Sequence, residues 1–293
     1  MLIALLADIH ANREALTACL AHAEQSKAER YIFLGDYVGY GADPGWVVDC
    51  VMDHVARGAS ALLGNHDAAV LSLSERMNAV AEDAIAWTRA QLDTTQSGFL
   101  RDLPAQLEEH DRLFVHANPW APTQWDYVSG RETAARAFQA TSCRQMFCGH
   151  MHKPVLYHMT ATAKIIEFTP VAGVGIPLAA SRQWLAVIGA VGQPRDRNPA
   201  ACYALLDDER NVLTYMRVPY DVETAARKVR DAGLPPVLAE RLYELFCNKL
   251  AGAGIAVARG RFGADMAVEL VNDGPFTIWL DSDEGGIAPG AGG

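Results

Sequence analysis

Apolar residues run without a break from Leu2 to Ala7, too continuous for a strand with one wet face, and predict a strand buried on both sides. From Asn12 to Gln25 the spacing changes. Ala15, Leu16, Cys19, Leu20 and Ala23 fall on one side of a helix that can cover a sheet. The alternation then repeats: a strand at Tyr31 to Leu34, and a helix opened by Asp43-Pro44 and running to about Arg57. Short strands follow at Ser60 to Leu63, Arg112 to Val115 and Gln145 to Cys148, with helices at about Met77 to Leu92 and Glu132 to Ala140. Strand and helix in turn is the pattern of a β-α-β sheet protein.

Beyond residue 150 the apolar runs shorten and are punctuated by Gly and Pro. Lys164 to Phe168, Trp184 to Val187, Cys202 to Leu206 and Val212 to Val218 read as strands of a second sheet formed within Val155 to Leu213. Helical periodicity returns from Asp221 to Leu250, with Pro235-Pro236 parting two helices. Ile255 to Leu280 reads as a pair of strands, and the Gly-rich stretch from Glu284 to Gly293 as a mobile tail.

Charge narrows the partners. With 25 Lys+Arg against 35 Asp+Glu in 293 residues the formal charge is −10, a poor field for duplex nucleic acid or an anionic membrane surface. A small anionic substrate stays compatible where a metal supplies local positive charge. The longest uncharged run, Phe168 to Ser181, is broken by Pro170, Gly173, Gly175 and Pro177 and falls short of the roughly 20 apolar residues of a membrane span. No basic leader precedes Asp8 and the cysteines form no CxxC pair, so reduced thiols and a cytoplasmic location are expected.

The chemistry concentrates in five short stretches: Asp8-Ile9-His10, Gly35-Asp36, Gly64-Asn65-His66-Asp67, Val115-His116-Ala117 and Gly149-His150-Met151-His152. Each follows a predicted buried strand, which would bring all five to the carboxyl-end rim of one sheet, where open α/β folds hold ligands. A lone Asp-x-His commonly caps a helix. Five stretches together, carrying five of the nine histidines, instead supply the mixed imidazole and carboxylate set that binds one or two divalent transition metals.

The order Asp-x-His, Gly-Asp, Gly-Asn-His-Asp, His, Gly-His-x-His resembles the calcineurin-like metallophosphoesterase superfamily. Val191-Gly192-Gln193-Pro194-Arg195-Asp196, the run from Cys202 to Asp207 and Val218-Pro219-Tyr220-Asp221 resemble later segments of its small bacterial and archaeal members. The resemblance implies an α/β fold of two sheets packed as a β-sandwich and flanked by helices, occupying residues 1–241. It also implies two divalent metals, with Mn, Fe, Zn and Ni all suited to such ligands. Asp8, His10, Asp36 and His152 would hold the first, and Asp36, Asn65, His116 and His150 the second, with Asp36 bridging and a hydroxide between them as nucleophile. His66 would be the general acid, and Asp67 would orient it, cap the following helix, or do both.

The implied reaction is hydrolysis of small phosphomonoesters or phosphodiesters, the alternative being a metal-bound scaffold that binds a partner without turnover. Protein Ser/Thr phosphatases and dinucleoside-polyphosphate hydrolases of this superfamily carry a phosphate-clamping Arg where this chain has Tyr40, which lowers the rank of those activities. Asn65, His66, Tyr40, Arg89 and Arg195 are the candidate substrate contacts. Trp120, Trp125 and Tyr127 after His116 either pack the loops, the simpler reading, or offer a surface on which a base can stack.

From about Leu242 the resemblance changes. Leu242-Tyr243-Glu244-Leu245-Phe246, the run from Gly260 to Met266 and Leu270 to Thr277 resemble the closing third of D-aminoacyl-tRNA deacylases, with Gly274-Pro275 matching their chirality-screening dipeptide. The Ser-Gln-x-Thr-Leu stretch that completes that active site is missing from the sequence. The reading is therefore an appended helix and hairpin at 242–283, able to join a second copy as a homodimer, followed by a flexible 284–293 tail.

Overall fold

The computed structural model describes residues 1–72, 79–240, 242, 278–280 and 287–289. In chain order the elements are β1 (Leu2–Leu6), α1 (Arg13–Gln25), β2 (Arg30–Phe33), α2 (Pro44–Ala56), β3 (Ser60–Ala61), α3 (Asn65–Leu71), α4 (Ala79–Gln91), α5 (Thr94–Arg101), β4 (Gln106–Glu109), β5 (Arg112–Val115) and α6 (Arg131–Ala140). They continue with β6 (Gln145–Cys148), β7 (Val155–Met159), β8 (Ile165–Phe168), β9 (Gly175–Pro177), β10 (Gln183–Val187), β11 (Ala201–Asp207), β12 (Val212–Val218) and α7 (Val222–Asp231). Residues 236–240 begin another helix at the second proline of the pair.

Two six-stranded sheets carry the molecule, ordered β3-β2-β1-β11-β12-β9 and β4-β5-β6-β10-β7-β8. The five motif-bearing strands are therefore divided between two sheets rather than lining one. β1, β2 and β3 run parallel in the first, and β5 and β6 run parallel in the second. Nor do the later strands build a sheet of their own. β11 pairs antiparallel with β1, and β10 pairs parallel with β6. Each parallel set leaves one edge with unpaired backbone groups, and the late strands complete those edges.

Side-chain alternation explains the stacking. In β1, Ala4 and Leu6 join the cluster beneath α1 and α2, while Ile3 and Leu5 face the interior between the sheets with Ile32, Phe114, Phe147 and Trp184. A third cluster packs α6, through Ala134, Ala137 and Phe138, onto the outer side of the second sheet. The layers are thus helix, sheet, sheet, helix. The five described cysteines are free. No helix among the described residues is long and apolar enough to cross a membrane.

By itself, the stretch Met1–Val257 forms one compact unit and Ala258–Gly293 a second. In the second, β13 (Ile278–Leu280) pairs antiparallel with β14 (Ile287–Pro289). Residues 287–289 lie in the stretch read from sequence as a tail, and they form a strand. The remainder of the expected appended helix and hairpin, including Gly274-Pro275, lies outside the described residues.

Candidate metal centre

All five motifs emerge from carboxyl ends of strands and meet at one end of the sandwich. Asp8, His10, Asp36 and His152 each direct a ligand atom into one group, all within 4.8 Å of one another, and Asp36, His116 and His150 form a second group under the same limit. Asp36 belongs to both. Asn65 joins the second group, its Oδ1 lying 3.1 Å from His116 Nε2. The Asp and His side chains of both groups are buried, so their polar atoms have little access to water, and Asn65 is half-buried.

The histidines show what the groups are built to hold. His10 Nδ1 donates to the Val38 carbonyl at 3.1 Å, His116 Nδ1 to Leu34 at 2.8 Å, His152 Nδ1 to Gln193 at 2.7 Å and His150 Nε2 to Trp125 at 2.8 Å. A carbonyl only accepts, so in each ring that nitrogen carries the hydrogen, and in the neutral imidazole the other presents a lone pair. The lone-pair nitrogens face one another: His10 Nε2 is 3.0 Å from His152 Nε2, and His116 Nε2 is 3.2 Å from His150 Nδ1. Facing lone pairs repel unless a cation lies between them. Two nitrogens ~2.1 Å from one metal and at roughly a right angle stand ~3.0 Å apart, the spacing seen. Main-chain carbonyls orienting imidazoles in this way is the usual outer support of a metal site.

Asp36 is the hinge of the arrangement. Its Oδ1 accepts the backbone N–H of His66 at 2.8 Å. Its Oδ2 is buried without a hydrogen-bond partner, 3.6 Å from His10 Nε2 and 3.4 Å from His116 Nε2. That orphaned oxygen, placed between two sets of lone pairs, fits a carboxylate that joins two cations. Burial alone would push the Asp36 carboxyl up, but the imidazoles of His116, His66 and His10 outweigh it and hold it well below the usual range. Against its own burial, His116 is raised to about 9 by Asp36, whereas burial lowers His150 to about 3 and His66 to about 4. Asp36 therefore calls for positive charge that its neighbours' burial discourages.

Backbone conformation sharpens the convergence. Asp8, His10, Asp36, His150 and His152 all have left-handed φ, between 50° and 66°, as does Tyr40 at 67°. Non-glycine residues held there store strain, and such positions gather at functional sites. Close approach also requires glycine: a Cβ on Gly64 would fall on the amide and carboxylate of Asp36.

The Asp67 carboxylate bonds backbone N–H groups and not the His66 ring. Its Oδ1 accepts from the backbone N–H groups of Tyr37 at 2.9 Å and Val38 at 3.3 Å, and its Oδ2 from those of Asp36 at 2.8 Å and Gly64 at 3.0 Å. These bonds join the head of α3 to the loop that carries Asp36. His66 is buried beside the cluster, its ring 4.8 Å from that of His10 and 4.5 Å from that of Tyr40, with Nδ1 lacking a hydrogen-bond partner.

Of the expected substrate contacts, Arg89 is elsewhere. Its guanidinium binds the carbonyls of Val70 at 2.8 Å and Ala69 at 2.7 Å, closing the C-terminal end of α3. Arg195 does reach the centre. Its amide donates to the His152 carbonyl at 3.0 Å and its guanidinium lies 5.9 Å from the Tyr40 ring, held by Gln193 Oε1 at 3.0 Å. Sequence reasoning missed Gln193 and Val38 as supports of the imidazoles, because a carbonyl contact leaves no trace in residue identity.

Two metal-type groups sharing one carboxylate, set on a helix-flanked pair of mixed sheets, define a metallophosphoesterase-type protein. The chain belongs to the calcineurin-like phosphoesterase superfamily, whose domain model matches residues 1–211. It is 32% identical over 248 residues to the uncharacterized protein MJ0912 of Methanocaldococcus jannaschii, covering 83% of this chain and 97% of that one. A solved metallophosphoesterase from Sphaerobacter thermophilus superposes with a TM-score of 0.74 at 33% identity, covering 83% of this chain and 98% of that chain. The hypothetical protein PH1004 of Pyrococcus horikoshii shares the fold, with a TM-score of 0.68 at 20% identity, over 82% of this chain and 97% of its own. A D-Tyr-tRNA(Tyr) deacylase model matches residues 222–281. The D-aminoacyl-tRNA deacylase of Ruegeria pomeroyi is 46% identical over 70 residues, which is 24% of this chain and 48% of that enzyme. The chain thus spans about half the length of that deacylase.

Proposed function

We propose that this protein is a metal-dependent phosphohydrolase of small phosphomonoesters or phosphodiesters. Two divalent cations would be held by Asp8, His10, Asp36 and His152 and by Asp36, Asn65, His116 and His150. The observation that carries this reading is the unpartnered Oδ2 of Asp36 between two sets of oriented imidazole lone pairs. A bound cation pair supplies Lewis-acid activation of the ester and of the attacking water.

The chain's own groups do the remainder. Asn65 contributes a neutral oxygen, which adds no negative charge to the second group and favours an anionic ester there. His66, beside the cluster and outside both ligand groups, donates a proton or hydrogen bond to the departing oxygen. Arg195 and Tyr40, beside His152 and His66, would contact a phosphate oxygen, with Arg195 supplying charge to the rim.

The test is metal content and turnover together. The Mn²⁺-loaded protein is expected to carry two equivalents of metal and to hydrolyse p-nitrophenyl phosphate or its bis ester. Asp36→Ala is expected to lose both metals and turnover. Undiminished turnover in Asp36→Ala would overturn the assignment.

A further inference from the structure

Four large apolar side chains stand exposed among the described residues, and one of them, Tyr127, is at the metal centre. Its ring lies flat on the His150 imidazole, with centroids 4.2 Å apart and planes 14° from parallel, yet the residue is 48% exposed. A ring stacked on a buried neighbour and still half exposed has its other side open to solvent. Its aromatic neighbours are used differently. Trp120 donates its indole N–H to Asp126 at 3.1 Å and lies under the Arg136 guanidinium, and the Trp125 ring packs edge-on against His116. For these two, packing is the observed use.

The platform is held rigidly. Asn118 donates to the Asp126 carbonyl at 3.1 Å and accepts from the Ala121 amide at 2.8 Å, pinning the loop before Tyr127, while Val128 after it is buried in the core beneath α6. With the chain anchored before and after Tyr127 and one face of its ring resting on His150, the ring loses little freedom when something stacks on the open face.

We infer that Tyr127 is a specificity residue that stacks the flat aromatic part of the phosphoester's alcohol portion, so that the site selects esters carrying an aromatic ring. This rests on the phosphohydrolase reading. A phosphoryl group beside Asn65 and His66 would send its substituent to the open side of the site, where the exposed Tyr127 ring stands on His150.

The test uses pairs of esters with and without an aromatic ring, measured for binding by calorimetry on the Mn²⁺-loaded His66→Ala protein and for kcat/KM on the Mn²⁺-loaded wild type. Adenosine 5′-monophosphate against ribose 5-phosphate places the ring one sugar away; benzyl phosphate against cyclohexylmethyl phosphate places it one carbon away. In at least one pair the aromatic ester is expected to be favoured about tenfold, the scale of base–aromatic stacking. Tyr127→Phe keeps that ratio and Tyr127→Leu brings it near one. The pair that responds tells a nucleoside from a simpler aryl group. Ratios near one in both pairs, or a ratio unchanged in Tyr127→Leu, would overturn the inference. Because the ratio is taken within each variant, general damage to the metal site cancels. Aromatic preference in binding without turnover would sink the phosphohydrolase reading and leave the stacking role standing.

Discussion

Replacing Asp67 by Asn separates two accounts of this residue. Each carboxylate oxygen accepts two backbone N–H groups, Tyr37 and Val38 on one side and Asp36 and Gly64 on the other. An amide keeps one oxygen for one pair and turns its own N–H₂ toward the second, leaving two buried donors without an acceptor. At ~1–3 kcal/mol for each such group, the loss is ~2–6 kcal/mol, centred near 4. Against a total stability of ~5–15 kcal/mol this leaves a folded but weakened protein. For a domain of this size it lowers Tm by roughly 8–15 °C. The assay is urea and thermal unfolding in the presence of a chelator, because bound metal would add its own stabilisation. If Asp67 worked by orienting His66, the variant would lose rate at unchanged stability. A drop of less than ~1 kcal/mol would refute the backbone-clamp argument.

Other substitutions divide the roles of neighbouring residues. His66→Ala is expected to retain both metals by elemental analysis while turnover falls ~10²- to 10⁴-fold; metal loss instead would make His66 a ligand. Arg89→Ala is expected to leave KM unchanged and to cost ~1–2 kcal/mol in unfolding experiments, since it strips the carbonyls at the end of α3 of their donor. Arg195→Ala, in contrast, is expected to raise KM at little cost in stability, and equal KM values for the two variants would contradict the geometry. Gly64→Ala is expected to weaken metal binding ~10- to 100-fold in calorimetric titrations, because the added methyl displaces Asp36.

Much of the site was legible because its chemistry resides in residue identity. Asp8, His10, Asp36, Asn65, His116, His150 and His152 each follow a short apolar run, and a strand end fixes roughly where the next residues lie. What identity does not encode is direction. Asp67 follows His66 immediately, but successive residues of a helix point about 100° apart, and identity alone does not show that the Asp67 oxygens turn to the backbone N–H groups of Asp36, Tyr37, Val38 and Gly64. Arg89 is drawn to the α3 carbonyls by a helix pairing that no local pattern announces. The left-handed φ of five candidate ligand residues was equally hidden: Asp and His enter that region more readily than most side chains, but identity does not say which of them will. Some misses had a signal. Asp93-Thr94-Thr95-Gln96 is a capping box, realised as Asp93 accepting from the Gln96 amide at 2.8 Å, and it starts α5. The sharing of late strands between two sheets had none, because each strand's partner lies far away in sequence.

The segment that matches two families is physically part of the first. The deacylase model begins at residue 222, yet the likeness to the Methanocaldococcus jannaschii protein covers 83% of the chain, more than the first 211 residues provide. α7 lies in that overlap. Its Lys228 bonds Glu14 of α1 at 2.6 Å and Asp43 at the head of α2 at 2.9 Å. Its Ala225 and Val229, with Leu238 and Leu242, line a cavity shared with His10, Asn12 and Tyr40. Asn12 in turn holds both the Gly192 carbonyl at 2.9 Å and the Tyr220 hydroxyl at 3.2 Å. A helix bound in this way steadies the two loops that present His10 and Tyr40, whatever the ancestry of its sequence.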